Sequence, residues 1–147
     1  MAVTAKWFGK GPLHLCNGDV IWKATGGSTI KAMLCDANYT PDQDAHEFKS
    51  SVTNEVTGTG YTAGGAALTL ADPAYDAASN ETRLDANDIS WANSTITARY
   101  AVIYKDTGNA ATSPLLAWVD FGQLESSSSG SFTIQWATTG ILKITAA

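Results

Sequence analysis

The stretch Thr95-Ile-Thr-Ala-Arg-Tyr-Ala-Val-Ile-Tyr-Lys105 predicts one long β-strand. β-Branched and aromatic residues dominate it, and such residues suit the pleated surface of a sheet. Strict alternation would place five side chains on one face: Ile96, Ala98, Tyr100, Val102 and Tyr104. The opposite face is also partly apolar, because it carries Ala101 and Ile103. We therefore expect a central strand that is covered on both faces.

The rest of the chain has the spacing of an all-β protein. Short β-branched and aromatic runs alternate with clusters of turn-forming residues. The predicted strands cover residues 3–8, 13–16, 20–22, 29–35, 67–70, 82–89, 95–105, 115–121, 131–136 and 141–145. The sequence thus predicts one domain over residues 1–147, an antiparallel β-sandwich or jelly-roll-like barrel with one short helix.

The helix is predicted over residues 40–48. Thr40 suits the N-cap, Pro41 suits the first helical position, and Asp42 would face the positive end of the helix dipole. The following residues, 51–66, contain four glycines and no clear periodicity. They are interpreted either as a long exposed loop that makes contacts or as a loosely paired edge strand that the fold requires.

The composition limits the classes of function. Of the 147 residues, 44% are hydrophobic and only 16% are charged, and the net charge is −5. A surface rich in small uncharged residues loses its water more easily than a charged one, which suits a protein that packs against neighbours. The acidic balance argues against direct binding of nucleic acid. Neither a membrane span nor a signal peptide is predicted.

Two cysteines, Cys16 and Cys35, lie in apolar segments that are predicted to be strands. A chain kept in a reducing cytosol favours free thiols buried as small hydrophobic groups. A disulfide between adjacent strands is the alternative, since sequence alone does not give the geometry.

The sequence contains few residues with the spacing that catalysis or metal binding needs. Asp42 and His46 lie four residues apart on the predicted helix, but local sequence supplies no third metal ligand. The acidic residues around Asp85 lack the pattern of an EF-hand loop and are expected to form a turn. The two histidines, His14 and His46, have no partner in a nucleophile motif. We therefore predict a protein without catalytic residues, cofactor or metal.

Several segments resemble a family of small structural proteins of tailed bacteriophages. They are Tyr39-Thr-Pro-Asp-Gln-Asp-Ala-His46, Ser51-Val-Thr-Asn-Glu-Val-Thr-Gly-Thr-Gly-Tyr-Thr-Ala-Gly-Gly65, Trp91-Ala-Asn-Ser-Thr-Ile-Thr-Ala-Arg-Tyr100, Leu116-Ala-Trp-Val-Asp-Phe-Gly122 and Phe132-Thr-Ile-Gln-Trp136. The resemblance covers nearly the whole chain. It implies a component of the virion, assembled in the host cytoplasm.

Within that class, the expected role is that of a capsid decoration, or cement, protein. Such proteins are small β-rich domains that bind the outer shell as dimers or trimers and bridge neighbouring major capsid subunits. The resemblance implies no catalytic residues. A tail, collar or fibre-associated protein that contacts a host glycan through exposed aromatics, such as Trp7 or Tyr61, is the alternative.

The residues expected to contact the partner come from three segments. These segments are the first predicted strand, the predicted helix and the glycine-rich segment. The candidates are Trp7, Phe8, Asp42, His46, Phe48, Val52, Glu55 and Tyr61. The glycine-rich segment is favoured most, because long polar segments without periodicity are usually functional.

Overall fold

The regular structure consists mainly of β-strands, which confirms the predicted all-β fold with one short helix. A computed structural model describes residues 2–146. The strands are β1 (Ala2–Val3), β2 (Lys6–Trp7), β3 (Ile30–Cys35), β4 (Ala66–Ala67), β5 (Ala74–Asp76), β6 (Glu81–Leu84), β7 (Ile89–Lys105), β8 (Leu115–Trp136) and β9 (Leu142–Thr145). The helix α1 spans Gly11–Cys16, and 3-10 turns span Lys49–Ser51 and Ala110–Thr112.

Two sheets form the β-sandwich-like fold. In the larger sheet the order is β1-β8-β7-β3-β4, with β2 also paired to β8. The smaller sheet has the order β5-β6-β9 and is antiparallel. The strand predicted to be central, β7, lies between β8 and β3 as expected. Among the strands of residues 2–146, only β1 breaks the antiparallel pattern, because it runs parallel to the end of β8.

The long strand β8 bends back on itself. Val3 pairs with Trp136, whereas Lys6 pairs with Trp118. Three residues of chain reach at most about 11 Å, but 18 residues of straight strand would span about 60 Å. The two ends of β8 therefore lie close together, with the N-terminal strands between them. This geometry also explains why β1 is parallel to β8 and β2 is antiparallel to it.

Bulges in β7 allow it to bend with β8, and they correct one sequence prediction. Ile96 and Ala98 belong to one apolar cluster, whereas Val102 and Tyr104 belong to the cluster on the other face, with Tyr100 packed against it. The predicted single face was wrong, because the register shifts between Ala98 and Tyr100. A bulge adds a residue and so reverses the alternation beyond it.

Apolar clusters cover both faces of the sheet around β7. The larger cluster fills the space inside the bend and extends to β6 and β9 through Leu84 and Leu142. The smaller cluster lies on the opposite face and includes Phe8, Tyr39 and Tyr104. Tyr39 comes from the segment after β3. This segment, and not a second β-sheet, therefore covers the second face of the large sheet.

The only α-helix among residues 2–146 lies where a strand was predicted. Pro12 lies in the first turn of α1, and Gly18 follows its end with a φ of +80°. The N–H of Gly18 is bonded to the carbonyl of Leu15, and the N–H of Asp19 is bonded to that of His14. A glycine in this conformation is a common helix terminator. The strand predicted over residues 13–16 was therefore wrong, because Pro12 and Gly18 mark the two ends of a helix.

The helix predicted over residues 40–48 is not formed. One i to i+4 bond, from the N–H of His46 to the carbonyl of Asp42, closes a single turn. The chain then becomes extended, with Phe48 bridged to Pro114 and the Glu47 carbonyl accepting from the N–H of Leu115. Backbone groups that would form hydrogen bonds within a longer helix thus form them with the start of β8 instead.

Three further sequence predictions are corrected. Residues 20–22 form no strand, although Val20 and Trp22 are buried. Residues 125–130, expected to connect two strands, continue β8 and pair with β7. Strand β7 also begins earlier than predicted, at Ile89, and the residues between it and β6 form no turn, since Ala86 bridges Leu70.

The two cysteines are both free, as predicted, but only one is buried. Cys35 is fully buried in β3, whereas Cys16 is exposed at the end of α1. The expected burial of Cys16 was wrong because the helix turns its side chain outward. Burial, with Glu55 and Asp36 nearby, raises the pKa of the Cys35 thiol to about 12.

Candidate interaction surface

The predicted contact residues of the N-terminal segment pack largely inside the protein. Phe8 is 0% exposed, and its ring centroid lies 4.8 Å from that of Trp118. Trp7 is half-buried, and its Nε1 donates to the Lys143 carbonyl at 3.1 Å. Both side chains therefore hold the N-terminal strands against β8 and β9.

The contact residues expected on a helix lie instead on the turn that covers the second sheet face. Asp42 is exposed and accepts from the N–H groups of residues 44 and 45, and these bonds lower the pKa of its carboxyl. The His46 Nδ1 lies 3.1 Å from the Tyr39 hydroxyl. The Phe48 ring lies 5.7 Å from His14. Of these three candidates, Asp42 is the most accessible.

The glycine-rich segment is built into the fold. Glu55 bridges Cys35 at the end of β3, and its carboxylate accepts from the Tyr61 hydroxyl at 2.7 Å. The same hydroxyl accepts from the N–H of Leu34 at 3.0 Å. Val52 packs against the smaller apolar cluster. These contacts match the interpretation of the segment as a paired edge that the fold requires.

A close approach of backbones fixes the end of the same segment. Gly65 has a φ of +77°, and a Cβ atom there would lie 1.9 Å from the Ala32 carbonyl oxygen. The Tyr104 hydroxyl donates to the carbonyl of Gly64 at 2.6 Å. Glycine is thus required where the segment meets β3.

An uncharged arm is the surface that the residue-by-residue predictions missed. It consists of residues 89–98 of β7 and residues 126–136 of β8, which pair with each other. Neither stretch contains Asp, Glu, Lys or Arg. This run of uncharged residues is visible in the sequence, but its meaning depends on the pairing of two segments that are far apart in the chain.

Hydroxyl groups cover the outer face of the uncharged arm. Ser90 and Thr133 lie opposite each other, with their hydroxyl oxygens 2.9 Å apart, and the hydroxyls of Thr97 and Ser126 are also 2.9 Å apart. All four side chains are exposed. The inner face is apolar, with the Trp91 ring 6.1 Å from Phe132. The apolar inner face therefore holds the outer face in place, and another protein can cover that outer face without burying a charge.

Charged pairs begin where the arm ends. Arg99 donates to Asp120 through its Nε at 2.6 Å and its Nη2 at 3.2 Å. This bidentate bond lowers the pKa of the Asp120 carboxyl. The boundary of the uncharged arm is therefore marked by an ion pair across β7 and β8.

A cleft opens between the two halves of the bent strand β8. It has a volume of about 280 Å³, and Phe121, Phe132, Ile134 and Val3 contribute apolar groups to it. Glu125 lies at the same cleft and accepts from the Gln123 amide at 2.9 Å. The cleft adjoins the uncharged arm, since residues 131–134 belong to both.

The main cluster of titratable groups joins α1 to the turn over the second face. His14 Nδ1 lies 2.9 Å from Asp19, and His14 Nε2 lies 3.4 Å from Glu47. Lys10 bonds the same Glu47 carboxylate and lowers its pKa. The two carboxylates lie at different nitrogens of the imidazole. These contacts therefore hold α1 in place, and the carboxylates do not point to one common ligand position.

Within residues 2–146, no group of three His, Cys, Asp or Glu side chains has the spacing of a metal site. No helix in this part of the chain has both the length and the apolar character needed to cross a membrane. Comparisons with protein-family models, curated proteins and solved structures found no match for the chain.

Proposed function

We propose that this protein is a structural component of a tailed-bacteriophage particle, a capsid decoration protein that binds the outer shell and bridges major capsid subunits. The resemblance of several sequence segments to small structural proteins of tailed bacteriophages supports this role. The main structural support for this role is the uncharged arm. The arm offers a contact face without charges that would have to be desolvated.

The size of the arm limits what one copy contributes. Ten residues of strand are about 33 Å long and two strands are about 10 Å wide, so the outer face covers roughly 330 Å². A standard protein interface takes about 800 Å² from each partner. One arm therefore supplies less than half of such an interface, and further contacts or further copies are needed for stable binding.

Symmetry provides those further copies. A dimer or trimer that engages neighbouring capsid subunits turns the second contact into an intramolecular one, so modest single contacts add to strong binding. The same bridging links subunits that internal DNA pressure pushes apart. Self-association and the major capsid protein are thus the proposed partners, and the role needs neither a cofactor nor a catalytic residue.

A charge placed on the arm tests this function. Thr97→Lys introduces an ammonium group on the outer hydroxyl face, where a partner would have to desolvate it. Thr145→Lys, on an exposed position of β9 opposite Glu81, is the matched control. The assay is sedimentation of each purified variant with phage particles that lack this protein. We expect Thr97→Lys to lose binding about tenfold or more and Thr145→Lys to bind as the wild type does.

Two outcomes would overturn the proposal. Failure of the wild-type chain to bind such particles would contradict the decoration role, and equal binding by both lysine variants would remove the arm from it. Quantitative mass spectrometry of virions, which gives the number of copies per particle, distinguishes a decoration protein from a tail, collar or fibre-associated protein. Hundreds of copies per particle fit a decoration protein, whereas a few to dozens fit a tail, collar or fibre component. The aromatics first suggested for glycan contact, Trp7 and Tyr61, are both partly buried with their polar atoms bonded.

A further inference from the structure

One edge of β8 is open over much of its length. The other edge pairs with β7, whereas this edge pairs with β2 only at residues 117–118 and with β1 only at residues 135–136. Among residues 2–146, no strand pairs with this edge between Val119 and Ile134. An unpaired strand edge is a template to which another chain can add a strand.

The backbone direction at Thr133 follows from its neighbours. Ala137 donates its N–H to the Val3 carbonyl, so its backbone groups point to the open edge. Trp136 donates its N–H to the Asp88 carboxylate on the β7 side. Because backbone groups alternate between the two edges of a strand, those of Gln135 and Thr133 point to the open edge. Thr133 thus offers a free N–H beside the cleft.

The cleft gives this edge chemical specificity. Its volume is about 280 Å³, on the order of nine waters at about 30 Å³ each, and Phe121 and Phe132 line it. Glu125 has no cationic partner among the described residues. The lining is mixed, because Ser126, Ser131 and Thr133 lie beside the two rings. Aromatic rings next to a carboxylate without a cationic partner suit a segment that carries a large apolar side chain and a neighbouring basic one.

We propose that the open edge of β8 binds an extended segment of a major capsid subunit as an added strand. One large apolar side chain of that segment enters the cleft, and a lysine or arginine pairs with Glu125. This inference rests on the proposed function and deepens it. The added strand also supplies contact area that the flat face of the uncharged arm lacks.

A second copy of this chain fits the edge less well. Antiparallel edge-to-edge pairing of two β8 strands centred on Glu125 would place the two Glu125 carboxylates opposite each other. Like charges directly opposite on paired strands are destabilising. Charge complementarity therefore favours a partner segment that is basic at this position.

A proline at the open edge tests strand addition. Thr133→Pro removes the N–H that faces the edge and leaves the bonds of its neighbours to β7 in place. Thr133→Ala is the control, because it also loses the hydroxyl contact with Ser90 but keeps the N–H. In sedimentation with particles that lack the protein, we expect Thr133→Pro to bind about tenfold more weakly than Thr133→Ala, because both variants lose the hydroxyl of the outer face and only the proline also loses the N–H. Equal binding by the two variants would overturn the proposal, provided that both have the wild-type melting temperature.

Hydrogen exchange of the unmodified protein gives an independent result. The Thr133 amide should exchange rapidly in the free protein and become protected on the particle. Binding without this protection would reject the added strand but leave the decoration role intact. Absence of binding would reject the decoration role itself. If instead the free protein protects this amide as its concentration rises, the occupant is a second copy and the capsid segment is rejected.

Discussion

Tyr61→Phe tests whether the glycine-rich segment belongs to the fold. The Tyr61 hydroxyl accepts from the N–H of Leu34, which is fully buried, and donates to the Glu55 carboxylate. An orphaned buried N–H costs about 1–3 kcal/mol, and a hydrogen bond to a charged group contributes about 1.5–3 kcal/mol. Since the two effects share one hydroxyl, we expect a loss of about 2–4 kcal/mol in the free energy of unfolding.

Urea unfolding measures this loss. At an m-value of about 2 kcal/mol/M, the midpoint should fall by about 1–2 M. Tyr75→Phe is the matched control, because the Tyr75 hydroxyl bonds Asn80 on an exposed surface. We expect that control to change the free energy by less than about 0.5 kcal/mol. Equal midpoints for the two variants would refute the structural role of Tyr61 and restore the interpretation of residues 51–66 as a free loop.

Thiol and acid measurements test other parts of the fold. In the native protein a disulfide reagent should modify Cys16 rapidly and Cys35 only after unfolding, so reaction of two thiols without denaturant would contradict the burial of β3. The pKa of the Asp106 carboxyl is lowered by a hydrogen bond from Lys31 and by the N–H of Gly108. Its stabilisation is complete above the unfolded pKa of about 3.9 and is lost as the pH falls through the lower folded value. Asp106→Asn should therefore flatten the pH dependence of the urea midpoint below about pH 4, and an unchanged slope would contradict this ion pair.

The sequence predicted the parts of the fold that local pattern controls. The β-branched and aromatic residues on both faces of residues 95–105 correctly indicated a central strand, and most runs of β-branched residues are strands or lie next to them. The bend in β8 was not predictable, because it depends on the pairing of Val3 and Lys6 with residues 18 positions apart. The face switch after Ala98 has the same origin, since a bulge depends on the partner strand.

The helix errors arose from competing uses of the same residue types. Pro41 and Asp42 are good helix starters, but pairing of Phe48 with Pro114 ends the turn early. Pro12 and Gly18 also mark a helix, yet the apolar run between them resembles a strand.

The interaction surface was harder to predict than the helix. Conspicuous residues such as Phe8 were chosen as contacts, whereas the outer face of the uncharged arm consists mainly of ordinary Ser and Thr residues. Its character emerges only when β7 and β8 are paired.

A cryo-EM map of the virion would show directly whether this protein decorates the capsid. We expect density for this fold on the outer shell in many symmetric copies, with the uncharged arm against the major capsid protein and an added strand along the open edge of β8. Density confined to the tail or collar, or a shell without this fold, would contradict the decoration role.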